Sequence, residues 1–372
     1  MKKISKKSYK KFKKICFFLP SLKTGGAEKV LINVANNISK DIKFKVFFIT
    51  GNSNGIYKKF LSTKIKTINL GEPRLRYTFF KLVNIFKNEK FDHVLTTMPH
   101  SNVFLCFIKI LYNFKFKLFV RQSNIYNFGR FNLNKSIFII LMKIMYRFSD
   151  GVISNCKEVY YETSNFFKIP KNKNHLIYNP TDLKRIKKLS KKKIGLDFFN
   201  TKSKTIISVG KLSNQKNFGS LINCANYIVN DLKKDFKFLL IGEGENFLYL
   251  KKRIKKFNLQ NNFKIINFVE NPFKYINKSD LLVQTSLWEG SSNILIESLA
   301  CDTRVVCYNI PGGTKEILAN YTNGQLARLN DYKHLAKKIF YSLKIKKKID
   351  RRKLLLFDLE KNIKQYKKLF NN

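Results

Sequence analysis

Short apolar runs alternate with helix-spaced stretches twice over along this chain, and that alternation leaves few folds open. The first unit pairs the run Ile15–Leu19 with a polar loop holding Gly25 and Gly26. After the loop, Ala27, Val30, Leu31, Val34, Ala35 and Ile38 recur at the spacing of one helix face, which predicts a helix over Ala27–Ser39. Further strand-like runs follow at Phe44–Thr50, Val94–Thr97, Leu118–Val120 and Gly151–Ser154, with helical stretches between. Apolar strands separated by helices pair in parallel and are covered on both faces.

The pattern breaks at Asn179-Pro180-Thr181, and Lys184–Lys193 carries many charges and few core positions. It then restarts with strands at Thr205–Gly210, Phe238–Gly242, Lys264–Phe268, Leu281–Thr285 and Val305–Tyr308. Phe218, Leu221, Ile222, Ala225, Ile228 and Val229 form a second helix stripe, and Asn293–Cys301 a third helix. At 372 residues the chain suits two such units. The reading is an α/β protein with a first Rossmann-like domain over 1–182, a linker over 183–204 and a second domain over 205–349. A final helix over 350–372 shows helical spacing at Leu354, Leu355, Leu359 and Ile363. Open parallel sheets bind ligands beyond the carboxyl ends of their strands, so two facing domains place the chemistry in the cleft between them.

The charge needs its own account. Lys and Arg number 73 against 24 Asp and Glu, a formal net charge of +49. Such an excess points to nucleic acid, an anionic membrane surface or a phosphorylated ligand. Lys, Asn, Ile, Phe and Tyr are all abundant while Trp and Met are scarce, the bias of an AT-rich genome, which raises lysine everywhere without a binding purpose. Clustering is not explained that way: Met1–Lys14 holds eight lysines and no acid. No helix-turn-helix, zinc-finger or RNP pattern supports the nucleic-acid reading. The six cysteines are widely spaced without a CxxC pair, as expected of buried thiols in a reducing compartment. Ile15–Leu19 is too short for a signal-peptide core, and Ser136–Phe148 is interrupted by Lys143 and shorter than a span of about 20 residues. A cytoplasmic protein without a membrane-spanning helix is expected.

The sharpest constellation is Trp288-Glu289-Gly290-Ser291-Ser292-Asn293-Ile294-Leu295-Ile296-Glu297, which leaves a buried strand and enters a helix. Gly290 permits a tight turn, Ser292 or Asn293 can cap the helix, and free amides at its start can receive a phosphate. Glu289 would face the cleft and Glu297 lie about one turn into the helix, where carboxylates suit the hydroxyls of a sugar and a ribose. The same residues also fit a capped surface helix with incidental acids. Lys211 and Lys216, in the loop after Thr205–Gly210, could hold a diphosphate and neutralise a leaving phosphate. Gly25-Gly26 and Gly242-Glu243-Gly244 allow close backbone approach but are weak signals alone. In Pro311-Gly312-Gly313-Thr314-Lys315-Glu316, the glutamate suits an early helix position rather than a ligand.

Taken in order, LPSLKTGGAEKVLINVAN, VISNCKEVYYE, LIYNPTD, SVGKLSNQKNFGSLI, LLIGEGEN, SLWEGSSNILIESLACDTRVV and NIPGGTKEIL span nearly the whole chain. With these motifs it resembles the family 4 glycosyltransferases, retaining enzymes of the GT-B fold, and most of all bacterial enzymes that extend lipid-linked oligosaccharides or build surface polysaccharides. The resemblance implies that Glu289 contacts the donor sugar, Glu297 the ribose, and Lys216 the diphosphate. It places Gly25 and Gly26 in a loop over the donor phosphates and acceptor, the backbone of Phe268–Asn271 at the base, and His100 near the donor sugar. Gly290, Ser291, Ser292, Asn293 and Gly242 join the substrate-binding set. It also implies that the final helix crosses back to the first domain. Lys211 stands where the family usually has Arg, which keeps the charge and loses the guanidinium fork. Ser291-Ser292 replaces an aromatic-plus-small pair, and Asp302 and Arg304 replace a common Gly and Pro.

The implied reaction moves a hexose or N-acetylhexosamine from a nucleotide diphosphate sugar, UDP favoured, to a glycan hydroxyl, with a lipid-linked acceptor. No Asp-x-Asp occurs, so no metal and no cofactor beyond the sugar nucleotide are expected. Lys211, Lys216 and helix amides would stabilise the departing diphosphate. Lys-rich segments with aromatics, Lys10–Phe12, Arg74–Phe80 and Phe104–Lys117, suit peripheral contact with the anionic cytoplasmic face of an inner membrane. The rival readings are a nucleic-acid or anionic-surface binding protein driven by charge, and a sugar-nucleotide epimerase of the same fold.

Overall fold

The computed structural model describes residues 12–23, 25–126, 133–199, 202–318, 324–345 and 349–371. The basic segment up to residue 11, with most of Lys10–Phe12, lies outside them. Two all-parallel sheets form, as the alternation requires. The first contains β1 (Lys13–Ser21), β2 (Phe44–Asn52), β3 (Lys66–Asn69), β4 (His93–Thr97), β5 (Lys117–Gln122), β6 (Gly151–Ser154) and β7 (Asn174–Leu176), in the order β3-β2-β1-β4-β5-β6-β7. Helices α1 (Gly26–Ile38), α2 (Phe79–Glu89), α3 (Pro99–Leu111), α4 (Leu133–Met145) and α5 (Lys157–Asn165) connect them, and α6 (Leu183–Ser190) follows. The chain moves outward from β1 to β3, then returns to β4 and runs the other way, so its helices fall on opposite faces. One core holds Leu82, Phe86, Cys106, Ile108 and Met142 from α2, α3 and α4, and the other holds Val30, Leu31 and Val34 from α1.

The second sheet contains β8 (Lys204–Val209), β9 (Phe236–Ile241), β10 (Phe263–Ile266), β11 (Leu281–Gln284), β12 (Val305–Tyr308) and β13 (Gly324–Ala327), ordered β10-β9-β8-β11-β12-β13. Its helices are α7 (Phe218–Asn226), α8 (Phe247–Lys256), α9 (Phe273–Lys278), α10 (Asn293–Ala300), α11 (Thr314–Ile317) and α12 (Tyr332–Lys344). The apolar stripe begun in α7 continues through a π-turn at Tyr227–Asp231.

The segment expected to be a linker is structured. Leu183, Ile186 and Leu189 of α6 form a narrow apolar stripe that packs with Phe273 and Ile276 of α9, while Lys184, Arg185, Lys187 and Lys188 stay exposed. Asp182 caps the helix by accepting from Arg185 N–H at 2.8 Å. Lysines conceal this stripe in the sequence, but their stems cover its flanks and leave the helix amphipathic.

A last helix, α13 (Leu359–Asn371), lies against the first domain. Phe370 is fully buried and meets Phe17, Phe44 and Phe119 edge-on at 6.0–6.4 Å. Lys13 Nζ donates to Asn371 O at 2.7 Å, and Lys367 pairs with Asp41 at 2.8 Å. Helix α13 therefore ties the second unit to the first. Phe370→Ala should destabilise the protein by about 3–5 kcal/mol, the usual cost of emptying a buried phenylalanine site. A lowered urea midpoint would measure it.

His93 packs beside this aromatic cluster, its ring 5.5 Å from that of Phe370. Burial first, and Lys13 second, pull its pKa down from 6.5 to about 4. A depressed folded-state pKa contributes stability above the unfolded value that is lost as pH falls through the folded one. Stability should decline from about pH 6.5 towards pH 4, by up to about 3 kcal/mol. Denaturation midpoints across that range would show the slope, and His93→Phe should flatten it.

All six cysteines are buried and unpaired. Burial pushes the thiols of Cys106, Cys156 and Cys301 up to about 12 and the other three higher still. They are packing residues, not nucleophiles.

Candidate active site

Each sheet has one point where strand order reverses, between β1 and β4 in the first and between β8 and β11 in the second. Crevices open at such points. The loop after β1 carries Gly25 and Gly26, that after β8 carries Lys211 and Lys216, and that after β11 carries Glu289.

Glu289 is 7% exposed, and one of its carboxylate oxygens is heavily engaged. Oε1 accepts from Lys216 Nζ at 2.5 Å, Ser286 Oγ at 2.8 Å and Gln284 Nε2 at 2.9 Å. Ser292 Oγ in turn donates to Gln284 Oε1 at 2.9 Å, which fixes the amide's orientation. Thr285 Oγ1 donates to Lys216 O at 2.9 Å, and Leu287 N–H to Gln215 O at 2.8 Å, so the two loops are stitched together. The carboxylate is held through Oε1, and among the described residues its other oxygen carries no hydrogen bond. Beside it Ser291 is 8% exposed, and its Oγ is buried with no hydrogen-bond partner among the described residues. A buried hydroxyl without a partner is costly unless something else binds it.

Glu297 stands on α10 and reaches across the cleft. Its Oε1 accepts from Lys29 Nζ of α1 at 2.7 Å. Burial pulls the Lys29 pKa down, but the adjacent Glu297 carboxylate outweighs it and leaves the ammonium above its usual range. Lys29 also lies over the Phe273 ring, 5.4 Å from its centroid. Asn293, first residue of α10, accepts through Oδ1 from Asn179 Nδ2 at 2.6 Å. Asn179 also accepts from the buried Arg121, so a polar chain runs from β5 to the start of α10.

Gly26 approaches the same asparagine; a Cβ there would lie 3.8 Å from Asn293 Nδ2. A Cβ on Gly25 would land 2.1 Å from Glu28 Oε2, so the missing side chain makes room for that carboxylate. Burial pushes the Glu28 carboxyl above its usual range, against the opposing pull of its own N–H and of Lys211 from the other domain. Lys211 itself is exposed and 3.6 Å from Glu245.

At Gly290 the backbones of the two domains come close. A Cβ there would fall 1.9 Å from the carbonyl oxygen of Ser123 in the first domain. Its N–H donates to Asn124 Oδ1 at 3.1 Å, and its carbonyl accepts from Gly313 N–H at 2.7 Å. Two acids complete the clasp: Glu158 of α5 accepts from Gly312 N–H at 2.8 Å, and Glu316 of α11 accepts from Lys157 N–H at 3.0 Å and from the Tyr178 hydroxyl.

His100, in the first turn of α3, is exposed, and its ring lies 4.3 Å from that of Phe138. Helix α3 starts at Pro99 and turns the imidazole toward α4. Gly242 packs against the loop after β8: a Cβ there would sit 1.9 Å from Gly210 O. Sequence reasoning missed Gln284, Ser286, Asn124, Asn179 and Lys29. Only Gln284 left a signal, as an amide ending an otherwise apolar strand.

The arrangement therefore combines a carboxylate held by three donors, an ammonium against it, a second carboxylate eight residues on and small residues where the domains meet. That set can hold hydroxyls on one side and counter negative charge on the other. Among the described residues, no three His, Cys, Asp or Glu side chains cluster as a metal site would need, and no helix is long and apolar enough to cross a membrane.

Comparison with known proteins gives the same answer for both halves. Residues 24–185 match the model described as Glycosyltransferase Family 4, and residues 190–355 the one described as Glycosyl transferases group 1. The chain is 27% identical over 329 residues to the Campylobacter jejuni N-acetylgalactosamine-N,N'-diacetylbacillosaminyl-diphospho-undecaprenol 4-alpha-N-acetylgalactosaminyltransferase, covering 86% of this chain and 87% of that one. A second C. jejuni enzyme, a GalNAc-alpha-(1->4)-GalNAc-alpha-(1->3)-diNAcBac-PP-undecaprenol alpha-1,4-N-acetyl-D-galactosaminyltransferase, is 25% identical, with 88% of each chain covered. Among solved structures, Anabaena HepE in complex with UDP-glucose superposes with a TM-score of 0.79 at 19% identity, covering 96% of this chain and 99% of that one, a likeness of fold.

Proposed function

Because this chain belongs to the family 4, group 1 glycosyltransferases of the GT-B fold, we propose that it moves a hexose or N-acetylhexosamine, with retention, from a UDP sugar to a lipid-linked glycan in surface-polysaccharide synthesis. The observation that carries this reading is the Lys216–Glu289 pair, buttressed by Gln284 and Ser286 at the switch point of the second sheet.

In this reading the free oxygen of Glu289 and the unpartnered Ser291 Oγ take donor-sugar hydroxyls. Glu297 takes the ribose, and Lys29 gives up part of its ion pair as the nucleotide enters. Lys216, held in place by Glu289, counters the charge that grows as the glycosidic bond breaks, with Lys211 and the amides starting α10 behind it. The transition state is oxocarbenium-like, and attack comes from the face the diphosphate leaves. Gly25, Gly26 and Asn293 form the narrow wall against which donor and acceptor meet. The sugar nucleotide is a co-substrate, and the lysines supply the positive charge that a metal otherwise brings. The relatives acting on undecaprenol-linked acceptors support the acceptor class, and the UDP-glucose complex of the same fold supports the donor.

Proton NMR of the first-formed glycoside, with UDP sugars as donors and EDTA present, tests the proposal. An axial donor should give an axial product at an undiminished rate. An inverted product, or activity that needs added Mg²⁺ or Mn²⁺, would contradict it.

A further inference from the structure

One of the largest fully buried side chains among the described residues is a cation, Arg121 near the end of β5. No carboxylate among those residues pairs with it. A charge buried without a counter-ion is costly, so its hydrogen bonds carry the explanation for its presence. Nη2 donates to Asn179 Oδ1, Nη1 lies 3.5 Å from Thr97 Oγ1, and Nε has no partner among the described residues. Asn179 stands where the chain first crosses from one unit to the other. The return crossing runs beside it: Thr181 N–H donates to Phe357 O at 2.8 Å, and Thr181 bridges in parallel to Asp358. A contact placed where both crossings meet moves least when the domains change their angle.

The chemistry of these groups dictates which way each amide faces. A guanidinium only donates, so Asn179 turns its carbonyl oxygen to Arg121 and its Nδ2 away. That Nδ2 donates at 2.6 Å to Asn293 Oδ1, which fixes the second amide in turn. Asn293 is left with its own Nδ2 on the side of Gly26, where a Cβ would lie 3.8 Å from it. Among the described residues this Nδ2 makes no hydrogen bond. The preceding Ser292 offers α10 no side-chain cap, because its Oγ is engaged by Gln284, and the first amides of the helix stay open. Open amides and a side-chain N–H at one helix start are donors without an acceptor among them, a set that suits an oxyanion.

We infer that Arg121 and Asn179 are positioning residues, which lock the Asn293 amide so that its N–H, and not its oxygen, meets a diphosphate oxygen of the nucleotide. The inference rests on the sugar-nucleotide reading of the cleft proposed above. Neither residue is placed to touch the donor, Arg121 being 1% exposed and Asn179 3%. They act through the chain of amides. This accounts for an arginine kept without an acid: a carboxylate beside it would take the donors of the guanidinium and leave Asn179 free to turn.

Asn179→Asp separates this role from a merely structural one. The new carboxylate pairs with Arg121 and supplies the missing counter-ion, but it has no N–H for Asn293. Asn293 then turns its Nδ2 inward and its oxygen toward the phosphate. Calorimetry should show UDP binding at least about tenfold weaker than in the wild type, the range for losing a hydrogen bond to a charged group. Uridine, followed by ligand-observed NMR, should bind both proteins alike, because it carries no phosphate. Arg121→Met leaves Asn179 able to face either way, so it should weaken UDP by a smaller factor and spare uridine. Equal UDP affinity in Asn179→Asp and the wild type overturns the inference and leaves the nucleotide reading standing. An equal loss of uridine overturns it too, as a general disturbance of the cleft. So does a larger loss in Arg121→Met, since the guanidinium would then act by its own charge. A wild type that binds neither UDP nor uridine sinks the nucleotide reading, and the inference with it.

Discussion

Lys216→Ala should lower the turnover number of sugar transfer by about 10²–10³-fold, the usual loss when one preorganised electrostatic group is removed. The ammonium is held against Glu289 at 2.5 Å, its side chain 22% exposed, and its loop is fixed by Thr285. Little reorganisation is needed when charge appears on the diphosphate. Its contribution therefore falls in the transition state, and kcat should drop far more than KM for the donor rises. Lys216→Arg should restore part of the rate, because charge survives while the wider guanidinium displaces Glu289. Lys211→Ala should cost much less, since Lys211 is exposed and screened. Steady-state kinetics on the three variants checks the order, and a Lys211 effect larger than that of Lys216 would reverse the assignment.

Gly290→Ala should be nearly as damaging for a different reason. The added Cβ meets the carbonyl oxygen of Ser123 at 1.9 Å and its carbon at 2.6 Å, and both are backbone atoms that cannot swing aside. The domains must separate to admit it, which breaks the Gly290 N–H to Asn124 bond and moves Glu289 relative to Gly25 and Gly26. A displacement of about 1 Å between reacting groups can cost about 100-fold in rate. The nucleotide contacts within the second domain stay intact, so UDP affinity should change only a few-fold while transfer falls by about 100-fold or more. Calorimetry and kinetics on one preparation separate the two effects. Transfer at the wild-type rate would show that this domain contact is not needed for catalysis.

The sequence reveals its chemistry where residues are scarce or local. With only 24 acids in the chain, Glu289 and Glu297 stand out at the end of a buried strand, and Lys216 follows the other strand that borders the same switch point. The two sheets and the helices α1, α7 and α10 follow from spacing alone. Other features depend on what meets across the cleft. Lys29 sits on the polar side of its helix and looks like any other lysine until α10 brings Glu297 to it. Asn124 and Asn179 are loop residues whose partners across the cleft lie more than 100 positions away. The short outer strands β3, β7 and β13 carry too few apolar residues to be read as strands, because at a sheet edge only one neighbour need be satisfied. His100 is conspicuous in the sequence as a histidine near a strand end, but its ring contact with Phe138 of α4 is visible only in the fold.

Calorimetric titration of UDP into the wild type and Glu297→Ala tests the central claim most directly, that the cleft between the sheets binds a sugar nucleotide through the second carboxylate. The wild type should bind, and the variant should lose at least about 2 kcal/mol of binding free energy, roughly thirtyfold in affinity, with the ribose hydroxyls left unpaired. Equal affinity in the two proteins would contradict the account, because Glu297 would then be only the partner of Lys29 and the nucleotide would have to bind elsewhere.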